Sequence, residues 1–256
     1  MLSRIKFWVG KILVSDFVFR LLIKRQIHNG VIRTKNGFLS VKNQSAYIQA
    51  LIFWDIYENP ERRAIRKFLR KDRTVIELGA SLGVVTLALC KWIDGKQKIY
   101  SVEANPKLLP NLLETKALNQ LDTLKIINTA LDYSGNKTIS FSIDSNNLGS
   151  SKERAEGQTN SNALAMVEAM PLHDLISKYD IGEYVLVSDI EGAEAEILVS
   201  ETDARVFENC KQIVFELHET SYKGKQYTQQ DLADLVVEKF KMKILYQSGN
   251  IWVFEK

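Results

Sequence analysis

Two glycines, Gly79 and Gly83, separate a short apolar run from a longer one in a way that suits the binding of an anionic group. Residues 74–78 are apolar and β-branched, which predicts a buried parallel strand, and residues 84–90 continue as the helix that follows. Glycine allows a sharp bend and the close approach of a ligand. The first helical turn offers unpaired N–H groups and a positive dipole end. The sequence therefore predicts a ligand site at residues 79–83, the glycine turn.

The glycine spacing excludes two common nucleotide-binding loops. A dinucleotide fold needs glycines where this chain has Ser81 and Val84, and no Gly-Lys-Ser/Thr sequence is present for a P-loop. The motif that remains is an acid followed by two glycines, namely Glu77, Gly79 and Gly83. A nicotinamide-dependent dehydrogenase is therefore the weakest alternative.

An acidic residue ends the second predicted strand, residues 98–102. Glu103 lies about 20 residues past Gly83, where a carboxylate accepts hydrogen bonds from ribose hydroxyls. Parallel strand ends meet at one edge of an open sheet, so polar residues at the ends of strands 184–188 and 213–216 belong to the same region. These residues are Asp189, Glu191, Glu216 and His218.

Four segments resemble the ordered motifs of FkbM-type S-adenosylmethionine-dependent methyltransferases: residues 77–83 (ELGASLG), 102–106 (VEANP), 189–194 (DIEGAE) and 215–218 (FELH). The resemblance extends from about Tyr57 to the C-terminus. It implies a class I methyltransferase fold, which is α/β and Rossmann-like. Such a fold has a mostly parallel sheet with helices on both faces, closed by a C-terminal antiparallel hairpin. An N-terminal helical and hairpin extension would precede it.

The resemblance also implies a set of residues that bind S-adenosylmethionine. They are Tyr57, Glu58, Glu77, Gly79, Ala80, Ser81, Gly83, Glu103, Ala104, Asn105, Ala130, Leu131 and Asp189. Within this set, Ala130 and Leu131 would flank the adenine ring. The adenine amino group would meet Asn128 or Asp132, and the sequence does not choose between them.

Three positions depart from the family pattern. Glu77 and Ser81 stand where Asp and Asn are common, and both substitutions preserve charge or hydrogen bonding. Ser188 occupies a position that is commonly basic, which leaves the charge partner of Asp189 unassigned.

Catalysis by this family, as the resemblance implies, is methyl transfer to a hydroxyl, often of a saccharide, glycolipid or glycosylated natural product. A hydroxyl needs a general base or a metal ion. Asp189 is the first candidate for positioning or deprotonation, His218 the second, and Glu191 a third. Asp189 could instead bind the cofactor's ammonium group or cap the next helix, and Glu194 could have a structural or capping role. The spacing does not establish a metal site, although Asp189 and Glu216 offer the oxygen ligands that Mg²⁺ prefers.

Two alternatives to O-methylation stay open. One is an N-methyltransferase acting on an amine or peptide, and the other is a catalytically silent cofactor-binding fold that serves as an interaction module. The acceptor would be a small molecule or glycan. No sequence pattern indicates the oligomeric state.

Composition restricts the remaining possibilities. With 256 residues, a single core is favoured over two. A net charge of +3 gives no argument for a nucleic-acid partner. Cys90 and Cys210 fit neither a disulfide framework nor a metal site, which is compatible with a cytoplasmic protein.

The N-terminal 27 residues are strongly basic and apolar, with six Lys or Arg residues and one acid, Asp16. They predict no membrane span and no signal peptide. They predict either a helix packed on the core or a basic amphipathic helix that contacts the inner face of an anionic membrane. We divide the chain into an extension, residues 1–60, and a methyltransferase domain, residues 61–256.

Other local patterns complete the expectations. Residues 31–41 predict a hairpin with a type I′ turn at Asn36-Gly37. A helix over 59–69 would place Arg62, with other basic residues, on its solvent face. A second helix would begin at an Asn105 cap, and a later one at a Thr228 cap with Asp231 as its acidic partner. Residues 138–143 and 166–170 would form short strands, and residues 144–163 would form an acceptor-binding lid.

Overall fold

Strands and helices alternate along most of the chain in the computed structural model, which describes residues 15–143, 150–152 and 163–256. In chain order the strands are β1 (Val31–Thr34), β2 (Gly37–Ser40), β3 (Thr74–Leu78), β4 (Ile99–Val102), β5 (Leu124–Ile127), β6 (Ala130–Leu131), β7 (Thr138–Ile143), β8 (Ser150–Lys152), β9 (Ala163–Met170), β10 (Tyr184–Ser188), β11 (Cys210–Glu216), β12 (Thr220–Tyr222), β13 (Lys225–Tyr227), β14 (Lys243–Ser248) and β15 (Ile251–Glu255). The helices are α1 (Ala46–Phe53), α2 (Asn59–Phe68), α3 (Val84–Trp92), α4 (Leu109–Leu118), α5 (Leu172–Lys178), α6 (Glu194–Ser200), α7 (Ala204–Asn209) and α8 (Gln229–Phe240). A helical segment made of Asp16–Val18, Phe19–Ile23 and Lys24–Gln26 precedes β1.

The central sheet has seven strands in the order β14-β15-β11-β10-β3-β4-β5. Strands β5, β4, β3, β10 and β11 are parallel, and β15 pairs antiparallel with both β11 and β14. The chain runs outward from β3 to β5 and then returns to the other side of β3 at β10. Ligands bind at such a reversal in open parallel sheets. The predicted α/β fold with a closing antiparallel hairpin is confirmed.

Apolar cores lie on both faces of this sheet because successive strand residues point to opposite sides. Ile76 and Leu78 of β3 belong to one core, together with residues of α5, α6 and α8. Val75 belongs to the other core, with Ile65 of α2 and Leu89 of α3. The strand ends are therefore held from both sides.

A second sheet of four strands, in the order β6-β9-β7-β8, lies in the segment between β5 and β10. The extra strand predicted at residues 138–143 is confirmed as β7. Strand β9 begins at Ala163, three residues earlier than the strand predicted from Met166. The predicted lid falls mainly on residues 144–149 and 153–162, which lie outside the described residues.

The N-terminal hairpin β1–β2 packs against α4. The Ser40 backbone N–H donates to Thr115 Oγ1 at 3.0 Å, and Asn111 Nδ2 donates to the Ser40 and Lys42 carbonyls. The type I′ interpretation of its turn is wrong. Thr34 pairs with Gly37, and neither intervening residue has a positive φ. Thr34 Oγ1 instead accepts the Asn36 N–H at 3.1 Å, which stabilises a different turn.

Two predicted helix starts have opposite outcomes. Helix α4 begins at Leu109, so the prediction of a start at Asn105 is wrong. Asn105 Oδ1 accepts the Lys107 N–H at 3.0 Å and forms a local turn instead of a cap. The capping box of Thr228 and Asp231 at the start of α8 is confirmed. Among the described residues, no helix has the length and apolar character that a membrane crossing requires.

Candidate functional site

The glycine turn brings the ends of β3 and β10 into close contact. Gly79 has a φ of +86°, and a Cβ there would lie 2.0 Å from the Asp189 carbonyl oxygen. Gly83 also has a φ of +86°, and a Cβ there would meet Leu112 at 2.8 Å. Ser81 adopts a left-handed conformation with a φ of +49°, which is uncommon for a residue with a side chain. The predicted sharp bend of the backbone is confirmed at both glycines.

Glu103 lies beside this turn at the end of β4. Its Oε2 accepts the Ser81 N–H at 2.7 Å, and its Oε1 accepts the Asn105 N–H at 2.7 Å. Burial raises the pKa of Glu103, and these backbone N–H groups oppose the rise. Asn128 Nδ2 donates to the Glu103 and Ala104 carbonyls, which fixes the backbone on which the carboxylate stands.

Glu77 is buried on β3, with 2% of its surface exposed. Its Oε2 accepts hydrogen bonds from Thr86 Oγ1 at 2.7 Å and from the Ser101 hydroxyl, whereas Oε1 is buried without a partner in the part of the chain that the structure describes. Burial raises the pKa of Glu77 to about 7. A buried carboxylate oxygen without a donor is costly, which indicates a place where a ligand donates.

Tyr57 and Glu58 reach the glycine turn from the N-terminal side. The Tyr57 hydroxyl lies 3.2 Å from Ser81 Oγ. Glu58 adopts a left-handed conformation with a φ of +51°, and its Oε2 is buried with no hydrogen-bond partner within residues 15–143, 150–152 and 163–256. Burial, with Asp189 and Glu77 nearby, raises the pKa of Glu58 well above its ordinary value.

Arg62 packs beneath the backbone of Tyr57 and Glu58 as a buried side chain, so the prediction that it lies on the solvent face of α2 is wrong. It is 4% exposed, and it donates to Asp55 Oδ1 at 2.5 Å and to the Tyr57 carbonyl at 2.8 Å. The neighbouring Glu61 is 3% exposed. Burial raises the pKa of Glu61 well above its ordinary value, and Glu58 and Asp189 add to the rise.

Asp189, Glu216 and His218 come together at the ends of β10 and β11. One ligand atom from each lies within 4.8 Å of the others, and we call these residues the strand-end cluster. Asp189 Oδ1 and His218 Nδ1 are buried, and neither has a hydrogen-bond partner among the described residues. Glu191 Oε2 lies 3.7 Å from His218 Nε2, with its side chain 70% exposed.

The charges in the strand-end cluster affect one another. Burial raises the pKa of Asp189, and the carboxylate of Glu216 raises it further. The pKa of His218 is raised chiefly by Glu216, although burial opposes this. His218 Nε2 and Glu216 Oε1 are 3.6 Å apart, and Asn250 Nδ2 donates to the same oxygen and holds it in place.

Glu194 has a structural role in the loop before α6, and it does not cap that helix, whose N-cap is Ala193. Its side chain is fully buried, with Oε1 accepting the Ile190 N–H at 2.7 Å and Oε2 accepting the Gly192 N–H at 2.9 Å. It therefore shapes the loop between Asp189 and α6. Ser188 is also buried, and its hydroxyl lies 3.5 Å from Glu194 Oε1.

The residues proposed beside the adenine lie in and after β6. Ala130 and Leu131 are 3% and 7% exposed, and they pair with β9. Asp132 Oδ2 accepts the Ser134 N–H at 2.8 Å. Ala130 belongs to a small core against which Ala104 packs, and Leu131 belongs to the same core as Ile76 and Leu78 of β3.

Sequence reasoning missed Glu61 and the residues that hold Glu77 and Glu216, which are Thr86, Ser101 and Asn250. A signal for Glu61 was present, because it lies three and four residues before the buried Ala64 and Ile65 on α2. An acid on the apolar face of an amphipathic helix is a candidate for a buried site. The other three lie far from their partners in sequence, and no local pattern identifies them.

Comparison with known proteins gives one sequence family. The model of the family described as "Methyltransferase FkbM domain" matches residues 77–243, which contain the glycine turn and the strand-end cluster. None of the curated proteins compared matches this chain.

Several solved structures are similar to the chain. EvdMO1 is 11% identical, with a TM-score of 0.42, over 78% of this chain and 41% of that one, so the chain spans less than half of EvdMO1. The TYW2 structure of M. jannaschii in complex with AdoMet is 15% identical, with a TM-score of 0.44, over 88% and 85% of the two chains. The ribosomal protein L11 methylase of Lactobacillus delbrueckii subsp. bulgaricus is 12% identical, with a TM-score of 0.42, over 77% and 75%.

The charge of the site fits S-adenosylmethionine, which carries a positive ammonium group and a positive sulfonium. Three buried carboxylate oxygens of the described residues lack partners, namely Glu58 Oε2, Glu77 Oε1 and Asp189 Oδ1. Burial raises the pKa of all three carboxyl groups. A cationic ligand relieves the repulsion among such groups and provides the missing donors.

Proposed function

Because the chain belongs to the FkbM methyltransferase family, we propose that it transfers the methyl group of S-adenosylmethionine to a hydroxyl oxygen, with a saccharide as the class of acceptor. The strand-end cluster is the observation that carries this proposal, since two carboxylates and an imidazole meet beside the glycine turn. Methyl transfer to a hydroxyl needs a group that accepts its proton. Carboxylates also accept the several hydroxyl hydrogen bonds that a polyol offers.

The cofactor, when bound, supplies a methyl group made electrophilic by the positive sulfur. Glu103 would accept hydrogen bonds from the ribose hydroxyls, because each of its oxygens retains acceptor capacity beyond one backbone N–H. Glu58 and Glu77 would offset the positive charge of the ligand. The side chain of Tyr57, held near Ser81, would cover the turn and exclude water.

The acceptor hydroxyl would bind within the strand-end cluster. Asp189 Oδ1 would accept its hydrogen bond and orient its oxygen. His218 would take the proton in its neutral form, and the carboxylates of Glu216 and Glu191 would stabilise the resulting imidazolium. Glu191 acts in this proposal through His218, not as a separate base.

A divalent cation is the second candidate for activating the hydroxyl. Two carboxylates and an imidazole within 4.8 Å of one another offer a suitable ligand set for Mg²⁺ or Mn²⁺. Dialysis against EDTA distinguishes the two routes. The proton-transfer route predicts that activity is retained, whereas loss of activity that Mg²⁺ or Mn²⁺ restores would assign the cluster to a metal.

An acceptor panel tests the proposal itself. Purified enzyme is incubated with methyl-labelled S-adenosylmethionine and matched sets of sugars, glycosides, primary amines and peptides. Transfer to oxygen in the sugar set, located by NMR spectroscopy, is the expected result. Label that appears only on nitrogen would replace the proposal with the N-methyltransferase alternative.

A further inference from the structure

The helical segment before β1 exposes three large apolar side chains within six residues. Phe17 is 74% exposed, Leu21 is 51% exposed and Leu22 is 49% exposed. The segment nevertheless packs on the rest of the protein, because residues 19–23 contact α1 and Ile23 is fully buried. Single exposed apolar residues are ordinary, whereas a group of them marks a contact surface.

Basic side chains alternate with these apolar ones. Arg20, Lys24 and Arg25 are exposed, and none forms an ion pair with a side chain that the structure describes, a set that leaves out Asp16. The preceding residues 1–14 add three more Lys or Arg residues, with Phe7 and Trp8, and no acid. Protruding apolar groups among unpaired cations are the chemistry of a segment that lies at an anionic membrane surface.

The segment is close to the candidate site. Helix α1, against which it packs, leads directly to Tyr57, whose backbone N–H donates to the Leu51 carbonyl at 3.2 Å. The Tyr57 hydroxyl in turn lies 3.2 Å from Ser81 in the glycine turn. Tyr47 and Ile56 in this connection are also exposed, at 54% and 42%. A surface that binds the helical segment would therefore be separated from the glycine turn by the single helix α1.

We propose that Phe17, Arg20, Leu21, Leu22, Lys24 and Arg25 form a docking surface for an anionic lipid bilayer. Apolar side chains enter the interface while the cations contact lipid phosphates. The site then faces acceptors that are held at the bilayer, and this last step rests on the proposed O-methyl transfer. The docking itself does not depend on it.

Sedimentation of the full chain with vesicles tests the docking surface. We expect stronger binding to vesicles of phosphatidylcholine mixed with phosphatidylglycerol than to phosphatidylcholine alone, with binding that weakens as salt is added. Replacing Arg20, Lys24 and Arg25 by Gln lowers the partition coefficient by about a hundredfold, at ~1 kcal/mol for each charge. Replacing Phe17, Leu21 and Leu22 by Ser lowers it by at least about tenfold.

The matched control changes the same number of charges elsewhere. Arg63, Arg66 and Lys67 are exposed on α2, and their replacement by Gln leaves vesicle binding unchanged under the proposal. Equal loss in this control, or no binding of the wild type, overturns it. Self-association of the wild type that the Ser variant abolishes, without any lipid binding, also overturns it and assigns the surface to a second copy of the chain.

S-adenosylhomocysteine binding is measured on every variant. Retained binding shows that each variant is folded and that its vesicle result concerns the surface alone. Failure of the docking surface then leaves the methyl-transfer proposal standing, and failure of the acceptor panel leaves the docking result standing.

Discussion

The backbone N–H of Ser81 donates a hydrogen bond to Glu103 Oε2 at 2.7 Å. This bond joins the glycine turn after β3 to the end of β4, across 22 positions of the sequence. Ser81 can offer its N–H in this direction because its φ is +49°. The turn and the carboxylate are therefore one unit, and disturbing either one is expected to impair cofactor binding.

Gly79→Ala tests the close approach of the turn to β10. The added methyl group would lie 2.0 Å from the Asp189 carbonyl oxygen, at a φ of +86°. We expect a loss of at least about 2 kcal/mol in the free energy of unfolding, measured with urea. Gly182→Ala is the control, since no atom of the described residues lies within 4 Å of its added Cβ. Equal stability of the two variants would show that the turn is not constrained.

Arg62→Ala is expected to displace Tyr57 and Glu58. The guanidinium donates to Asp55 and to the Tyr57 carbonyl and is almost fully buried, so its loss removes both packing and charged hydrogen bonds. We expect a loss of about 2–4 kcal/mol in the free energy of unfolding and weaker S-adenosylhomocysteine binding. The exposed neighbour Arg63, replaced by Ala, is expected to change neither quantity. Indistinguishable effects of the two substitutions would contradict the supporting role of Arg62.

Glu77 is expected to make the stability of the ligand-free protein depend on pH. Burial raises its pKa to about 7 from an ordinary value of 4.5. Between these two pH values the folded chain holds a proton that the unfolded chain releases. Protonated Glu77 therefore stabilises the fold; the stabilisation is complete below about pH 4.5 and is lost as the pH rises through about 7. Relative to wild type, Glu77→Gln should gain up to about 3 kcal/mol of stability between pH 5 and pH 8.

Urea unfolding at several pH values measures this difference. Glu238→Gln, which changes an exposed carboxylate on α8, should follow the wild type throughout. A Glu77→Gln curve parallel to the wild-type curve would mean that Glu77 ionises normally in the folded chain.

His218 is expected to set the acidic limb of the pH–rate profile. Activity rises along this limb because the neutral form of His218, which accepts the proton, becomes more abundant as the pH rises. Glu216 raises the pKa of His218 and therefore places the limb at a higher pH. Glu216→Gln should move this limb to lower pH, and His218→Gln should lower kcat by about 10²–10⁴. His28→Gln, at an exposed position, should leave the profile unchanged. An unshifted limb in Glu216→Gln would remove His218 from the role of base.

The sequence was sufficient to predict those parts of the structure that depend on local patterns. Gly79, Gly83 and Glu103 were predicted because a strand, a turn and a helix leave a recognisable succession of residue types, and the parallel sheet was predicted from the same succession. Asp189 and His218 were predicted to meet because parallel strand ends share one edge of a sheet.

The sequence was insufficient where tertiary contacts override local preference. The sequence pattern of α2 predicts that Arg62 faces solvent. Its burial is explained only by its hydrogen bonds to Asp55 and the Tyr57 carbonyl. The hairpin turn at residues 35–36 differs from the Asn-Gly expectation because the strand register pairs Thr34 with Gly37. Asn105 does not cap α4, since its N–H and side chain are engaged with Glu103 and Lys107.

The central claim is that the glycine turn and Glu103 bind the cofactor, and calorimetric titration with S-adenosylhomocysteine tests it most directly. We predict micromolar binding to the wild type and binding about a hundredfold weaker for Glu103→Ala, from the loss of charged hydrogen bonds to the ribose. Glu238→Ala on α8 should bind like the wild type. Equal affinity of Glu103→Ala and wild type, with both proteins folded, would contradict the account.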